Sequence, residues 1–363
     1  MSEIGNERDP VGLGIVGLGR WADAHAGAAA RSADVRFVNG HARSEASRER
    51  FSDRHGFSAG ASTFDGLLAD PAVEAVVIST PNDQHVAQTL RCLDSGTPVL
   101  VDKPVAVDIA EGLTLLRAVR STGVAVGVAH HARRLAGIRG ASEWIRRSAG
   151  RVRLATADFS NDRSAHMRPD AWHRTARGSE AGALIQVGIH QVDNVIALLG
   201  PPQSVSATFR HETLGPMCDL AAVTIVHAGG GVSVVTTSWT TPGHFALDLL
   251  ATGGNLRYEL DHGHWTSGDV DDHGRLRTAE AGGRWTDRDV PAGDPLVEQL
   301  EELGRAARGD GDMAVDVLAG LRAVSVVEAA VRSAQAGGAS VTIGDLATEA
   351  GATEAEIRQL VVG

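Results

Sequence analysis

The sequence predicts two domains: a doubly wound parallel α/β sheet, then an α+β domain on an open, mostly antiparallel sheet. Three observations carry this. At 363 residues the chain is longer than one ordinary core fills. Apolar, β-branched runs alternate with helical patterns as far as about residue 130. After Gly150, strand-like runs follow one another between turn residues, with few helices among them.

Taken in order, "VGLGIVGLGRWADAHAGAAA" reads as a buried strand, a glycine turn and an alanine-rich helix. "DVRFVNG" is the next strand, and a charged helix follows from Ser44, its N-cap, to His55. "VEAVVIST" is the short continuous apolar run of a strand buried on both faces. A helix around "QHVAQTLRCLDSG", the strand "TPVLVD", a helix from Asp108 ended by Gly123 and the strand "VAVGVA" complete the alternation. The second domain offers "GRVRLATADFS", "QSVSATFRHE", "LAAVTIVHAGG", "GVSVVTTSW" and "FALDLLATGG" as strands, interrupted by one helix, "ALIQVGIHQVDNVIALLG". "PLVEQLEELGRAARG" and "AVDVLAGLRAVSVVEAAVRSAQAGG" are late helices. The expected division is a disordered start at 1–10, an α/β domain at 11–130, an α+β domain at 131–345, and a tail or helix at 346–363. No tandem repeat is visible.

The totals exclude several classes. A net charge of -11 speaks against a nucleic-acid or anionic-membrane surface, which needs a basic face. The start, "MSEIGNERDP", has neither the basic nor the apolar region of a signal peptide, and no apolar run reaches the length of a membrane span. Cys92 and Cys218 stand alone, without disulfide or zinc spacing. A soluble, cytoplasmic protein is expected. Lysine and arginine number 34 together, yet Lys103 is the only lysine. It sits in Asp-Lys-Pro, so no Walker A loop exists. Tyr258 is the only tyrosine and the fourth residue after it is His262, so no Tyr-x-x-x-Lys pair exists either.

Gly17-Leu18-Gly19-Arg20-Trp21-Ala22 is G-x-G-x-x-A at the first strand–helix junction. The first glycine permits a tight turn, the second lets backbone approach a pyrophosphate, and the third small residue lets helix and strand pack closely. The helix N-terminus then offers N–H groups to the phosphates. An NAD site usually carries Asp or Glu at the end of the second strand; here Ala42, Arg43 and Ser44 occupy that region. An arginine and a hydroxyl suit a 2′-phosphate, so NADP is the expected cofactor, with NAD the alternative.

With these residues in place the chain resembles the glucose–fructose oxidoreductase/inositol dehydrogenase (Gfo/Idh/MocA) family, from about Val11 to Ile343. The likeness rests on "GLGRWADAHA", "STPNDQH", "DKP" where the family has Glu-Lys-Pro, "HHARRLAG", "GALIQVGIHQVD" and "AVSVVEAAVRSAQAGG". It implies a Rossmann domain followed by an open sheet that often mediates homodimers or homotetramers.

Asp102 and Lys103 lie at the C-terminal end of a parallel strand, where doubly wound folds bind ligands. Lysine is a compact point charge, where arginine's broad fork would collide with a nicotinamide. Pro104 restricts Lys103 to an extended backbone, and the resemblance suggests a cis bond between them. The resemblance also implies that Lys103 hydrogen-bonds the reacting hydroxyl or ketone and the cofactor ribose, and that Thr80, Pro81, Asn82 and His85 form the loop under the nicotinamide ribose. Where the family has Asp-x-Gly-x-His, His190 matches the histidine, but the aspartate position is Gln186. His190 is therefore the expected proton acceptor. Gln186 is expected to orient it or to bind substrate, and Asp193 to share its face and bind a hydroxyl or partly replace the missing charge.

The expected reaction is hydride transfer between nicotinamide and a secondary alcohol or ketone of a sugar, sugar derivative or cyclitol. His131, Arg133, Asn161, Trp172, His173 and Arg174 are candidates for the polar pocket such a substrate needs, and Arg133 or Arg134 could hold a phosphate or carboxylate. A nucleotide-dependent sensor without turnover and an NAD-dependent glycosidase are the alternatives on this fold. Asp261–Gly274 mixes His and Asp, but reads as a hairpin turn, and no metal is expected.

Overall fold

The computed structural model describes residues 9–168, 171–174, 179–260, 274–289, 291 and 293–362. Expectations for the first eight residues and for 261–273 lie outside them.

Six parallel strands form the first sheet: β1 (Val11–Val16), β2 (Val35–His41), β3 (Ser58–Ala61), β4 (Ala75–Ile78), β5 (Val99–Val101) and β6 (Val126–Val128). Their order, β3-β2-β1-β4-β5-β6, reverses direction between β1 and β4, which opens a crevice at the C-terminal strand ends. β1, β4 and β5 are buried along their whole length, as their continuous apolar sequences require. The intervening helices are α1 (Arg20–Ala29), α2 (Glu45–His55), α3 (Phe64–Leu68), α4 (His85–Asp94) and α5 (Ile109–Thr122). Ser44 caps α2 by accepting from Ser47 N, and Asp108 caps α5 by accepting from Glu111 N. β3 and α3 escape a sequence reading: "SAGA" has little strand character, and a five-residue helix shows no periodicity.

After α6 (Ala136–Arg147) the chain builds β7 (Val152–Ser160), α7 (Ile189–Leu199), β8 (Pro202–Arg210), β9 (Leu220–His227), β10 (Val232–Ser238), β11 (His244–Ala251), β12 (Gly254–Leu260), β13 (Arg275–Glu280) and β14 (Thr286–Arg288). Four helices follow, α8 (Pro295–Ala307), α9 (Val317–Gln335), α10 (Ile343–Glu349) and α11 (Glu354–Val361), with β15 (Val341–Thr342) between the second and third of these. The nine strands order as β14-β13-β12-β11-β7-β10-β9-β8-β15, and all pair antiparallel except β7 with β10. The alternating burial of β9 and β11 marks a sheet with one covered face, against which α7 and α9 pack. α9 also packs on α5, so one apolar core runs from Val99 and Val101 through Leu321 to Val223 and Ile225.

One helix departs from the expected division. α8 falls within the 131–345 span, yet Leu296, Leu300 and Leu303 pack with Val11, Leu13 and Ile15 of the first sheet. Its ion pair from Asp294 to Arg31 and the bond from Ser32 Oγ to Glu301 hold it there. Of the tail or helix expected at 346–363, the structure has the helix: in α11 Leu360 is buried, and Glu356 joins the Thr353 capping box and the Arg117 guanidinium of α5.

Candidate active site

The phosphate loop is built from backbone. Gly17 has φ +86, and a Cβ there would lie 2.4 Å from the carbonyl oxygen of Ser79, so only glycine fits the turn. Gly19 instead faces open space, with nothing within 4 Å of where its Cβ would be. It is also the N-cap of α1 and supplies no side chain, which leaves the first N–H groups of the helix open to an anion. Leu18 and Trp21 are half-buried beside the loop and Arg20 is exposed. These features fit a dinucleotide pyrophosphate. β2 ends at His41, and Arg43 and Ser44 are exposed just beyond half-buried Ala42, with no carboxylate among these four residues. Arg48 folds back to donate to the carbonyls of Ala42 (2.7 Å) and Arg43 (3.3 Å), fixing this corner.

At the end of β5, Asp102 N donates to Ile78 O, and its carboxylate accepts from Ser79 Oγ at 2.6 Å and from His25 Nε2 at 3.0 Å. Burial pushes the Asp102 carboxyl up, but His25 and Ser79 outweigh it and the net shift is downward. The Lys103–Pro104 bond is cis. His85 ties the next turn down: Nδ1 faces Pro104 O at 2.7 Å and Nε2 faces Thr80 O at 2.9 Å. The two carbonyls favour a charged ring, yet burial is the larger effect and keeps the His85 pKa low. Asn82 is buried in the same loop, and Thr80 Oγ1 donates to Gln88.

Lys103 reaches across to the second domain, where Nζ donates to the carbonyl of Gln186 at 2.5 Å. That carbonyl belongs to a π-helical turn, Leu184–Gly188, which runs directly into α7. Such widened turns recur at functional sites. Gln186 and His190 thus span a π–α junction rather than one regular helical face. Burial lowers the Lys103 pKa to about 8, Asp102 partly opposes this, and Arg163 adds to it.

His190 is buried, with the His131 ring centroid 4.7 Å from its own and that of His130 at 5.9 Å. Trp21 closes the row against His131 at 5.3 Å. Burial is the largest cause holding all three histidines low; positive groups add to it at each, while Asp193 opposes it at His130 and Asp102 at His131, so that His131 falls to about 3, His130 to about 4, and His190 well below the ordinary range. The expectation that Asp193 would bind substrate or stabilise a charged His190 meets a physical obstacle. Its carboxylate is fully buried and held bidentately by Arg133, Nε to Oδ2 and Nη2 to Oδ1 both at 2.6 Å. Arg133 is for the same reason already paired, and Arg134 is paired with Glu302. Burial and the positive groups around it disfavour the charged form of His190, which the acceptor role expected for it would require.

Asn161 Oδ1 accepts from the backbone N of Arg163 at 3.1 Å. Trp172 stacks on His173 at 3.8 Å, and Nε2 of His173 meets Nη2 of Arg163 at 3.0 Å. A guanidinium only donates, so His173 accepts and is neutral; burial, then Arg163, lowers its pKa to about 3. Arg174 is half-buried beside it.

Sequence reading missed His25, Ser79, Arg48 and Arg163. His25 carried a signal: Ala22, His25, Ala26 and Ala29 form the buried stripe of α1, and a lone histidine in such a stripe needs a partner. Arg163, in "NDRSAHM", carried none. Among the described residues no cluster of His, Cys, Asp and Glu could hold a metal ion.

Comparison with known proteins agrees with this arrangement. Residues 11–130 match the oxidoreductase family with an NAD-binding Rossmann fold, and residues 138–260 match the GFO/IDH/MocA C-terminal domain. A structure from Desulfitobacterium hafniense described as an NADPH-dependent oxidoreductase superposes with a TM-score of 0.87 at 32% identity, covering 93% of this chain and 99% of that one. The mouse trans-1,2-dihydrobenzene-1,2-diol dehydrogenase is 30% identical over 186 residues, 50% of this chain and 54% of that protein. The scyllo-inositol 2-dehydrogenase (NADP(+)) of Bacillus subtilis is 29% identical over 149 residues, 39% of each chain. The chain thus spans about half the length, or less, of these curated relatives. Among the described residues no helix is long and apolar enough to cross a membrane.

Proposed function

We propose, for a chain that belongs to the GFO/IDH/MocA oxidoreductase family, reversible oxidation of a secondary alcohol on a sugar, sugar derivative or cyclitol. Gly17, Leu18, Gly19, Arg20 and Trp21 would hold the cofactor at the pyrophosphate, Ala42, Arg43 and Ser44 at the adenosine ribose, and Thr80, Pro81, Asn82, His85, Asp102 and Pro104 around the nicotinamide. A bound nicotinamide supplies the hydride donor or acceptor. The absence of a carboxylate at 41–44, with Arg43 and Ser44 exposed there, favours NADP over NAD.

The observation that carries the reading is Lys103, a lone ammonium at a strand end, bonded across the cleft and held at about 8. A pKa near the working pH suits proton exchange with a substrate hydroxyl. In oxidation the neutral amine accepts that proton, so the rate rises with pH through about 8; in reduction the ammonium donates it, so the rate falls above about 8. His190 stays neutral and orients the substrate by hydrogen bonding, with Gln186 beside it. The nine-stranded sheet is the proposed surface for self-association. Gln186 also motivates a second reading, a nucleotide-binding sensor without turnover.

The deciding measurement mixes the full chain with NADP+ or NAD+ and a panel of sugars and inositols, and follows the absorbance of reduced nicotinamide. Reduction with a member of the panel, lost in Lys103→Ala, is expected. Tight cofactor binding with no reduction across the panel would favour the sensor.

A further inference from the structure

Arg163 has a role that the cofactor and the proton transfer leave unfilled. It opens a 3-10 turn, Arg163–His166, directly beyond β7 and is half-buried. Nη2 donates to the neutral His173 ring, while Nε is buried with no hydrogen-bond partner among the described residues. Among the described residues no carboxylate pairs with it; the charges it feels are those of Arg20 and Lys103, both positive.

Among the described residues the carboxylates of the cleft are already engaged, and Asp162, next to Arg163 in the chain, faces His166 at 3.6 Å. Asp102 is held by His25 and Ser79, and Asp193 by Arg133. Gln186, whose carbonyl meets Lys103, adds no charge. A guanidinium withdrawn from water is costly unless an anion meets it, and its planar fork matches an oxyanion.

We infer that Arg163 is a substrate-binding residue and that the substrate is anionic, a hydroxylated compound whose carboxylate or phosphate docks on Arg163 while its hydroxyl meets Lys103. This rests on the oxidoreductase reading for the second contact and narrows it from sugars in general to sugar acids or sugar phosphates.

The test titrates the NADP+-loaded full chain with D-glucuronate, D-glucose 6-phosphate and D-glucose, and follows turnover of each in parallel. At least one anion should bind roughly 10- to 100-fold more tightly than glucose, the range a charged hydrogen bond supplies. The preference should weaken with added salt, fall to within about threefold in Arg163→Gln, and return in part in Arg163→Lys. Preference for the carboxylate or for the phosphate identifies the anion. Equal binding of all three compounds, or no binding of either anion, overturns the inference. So does an Arg163→Gln variant that loses NADP+ affinity while keeping its preference, since Arg163 would then serve the pyrophosphate. Anion-selective binding without reduction of NADP+ would remove the oxidoreductase reading and leave this one; reduction by glucose with no preference would do the reverse.

Discussion

The two walls of the cleft are made differently. On the Rossmann side, from Gly17 to Arg20 and His41 to Ser44, the surface is largely backbone: a glycine turn, an uncapped helix end and a strand terminus. On the opposite side, Arg163, His173 and His190 present side chains from separate segments, and His130 and His131, just beyond β6, bring their rings up against His190. Lys103 grows from the first wall and bonds to the second. Backbone recognises what every dinucleotide shares, whereas side chains can change with each substrate. The cofactor wall should therefore tolerate surface change and fail at its glycines, and the substrate wall should fail by charge.

Removing the residue that joins the walls should have the largest effect. Lys103→Ala is expected to lower kcat by roughly a hundred- to ten-thousandfold, with a much smaller change in cofactor affinity. Lys103→Met should be as inactive yet melt at a higher temperature at pH 7. The folded-state pKa of about 8 lies below the ordinary lysine value of 10.5, so the charged amine costs stability below about 8. Between about 8 and 10.5 the unfolded chain binds the extra proton, wild-type stability rises with pH, and its gap to the Met variant should close. Thermal melts across that window check the sign; a gap that widens with pH would contradict the buried-ammonium account.

On the substrate wall, Arg133→Ala strands the Asp193 carboxylate beside His130, whose Nδ1 is 4.0 Å away. A buried charge left without its partner costs about 3–5 kcal/mol. Replacing both members, as in Arg133→Leu with Asp193→Leu, should recover most of the loss. If the single variant melts like wild type, the pair is not the strut that the bidentate geometry indicates.

The glycines separate folding from binding on the cofactor wall. Gly17→Ala forces a positive φ on a side chain that meets Ser79 O, and should destabilise by about 1–3 kcal/mol. Gly19 has φ -98, open to any residue, and empty space ahead of it. Gly19→Val should therefore melt normally while weakening NADP(H) binding about tenfold, by filling the space a pyrophosphate needs. Equal melting losses in the two variants would erase the distinction.

The same contrast explains what could be read from sequence. G-x-G-x-x-A, the continuous apolar strands and Asp-Lys-Pro are contiguous, so the parallel sheet and its loop were visible in short windows of sequence. The other wall is assembled from residues tens of positions apart, and no local pattern links Arg163 to Lys103 or Asp193 to Arg133. His190 could be placed by resemblance, but its titration depends on neighbours only the fold brings in, two other histidines and Lys103. α8 misled for a related reason: its apolar stripe identifies a helix without saying which sheet it covers.

The smallest expected effect lies at the adenosine end, where the cofactor wall does use a side chain. Arg43 is exposed beyond β2, while Arg48 is bound to the carbonyls of Ala42 and Arg43 and braces the corner. A 2′-phosphate there would gain a charge-assisted contact in a largely solvated setting, where each such contact contributes about 1 kcal/mol. Arg43→Asp should thus raise KM for NADP roughly five- to tenfold, while KM for NAD falls or stays level as the new carboxylate accepts from the ribose hydroxyls. Arg48→Ala should disturb both cofactors alike, since its present work is to hold backbone. Matched KM measurements with NADP and NAD for the two variants decide this, and an Arg43→Asp protein that keeps its NADP preference would move the specificity away from the end of β2.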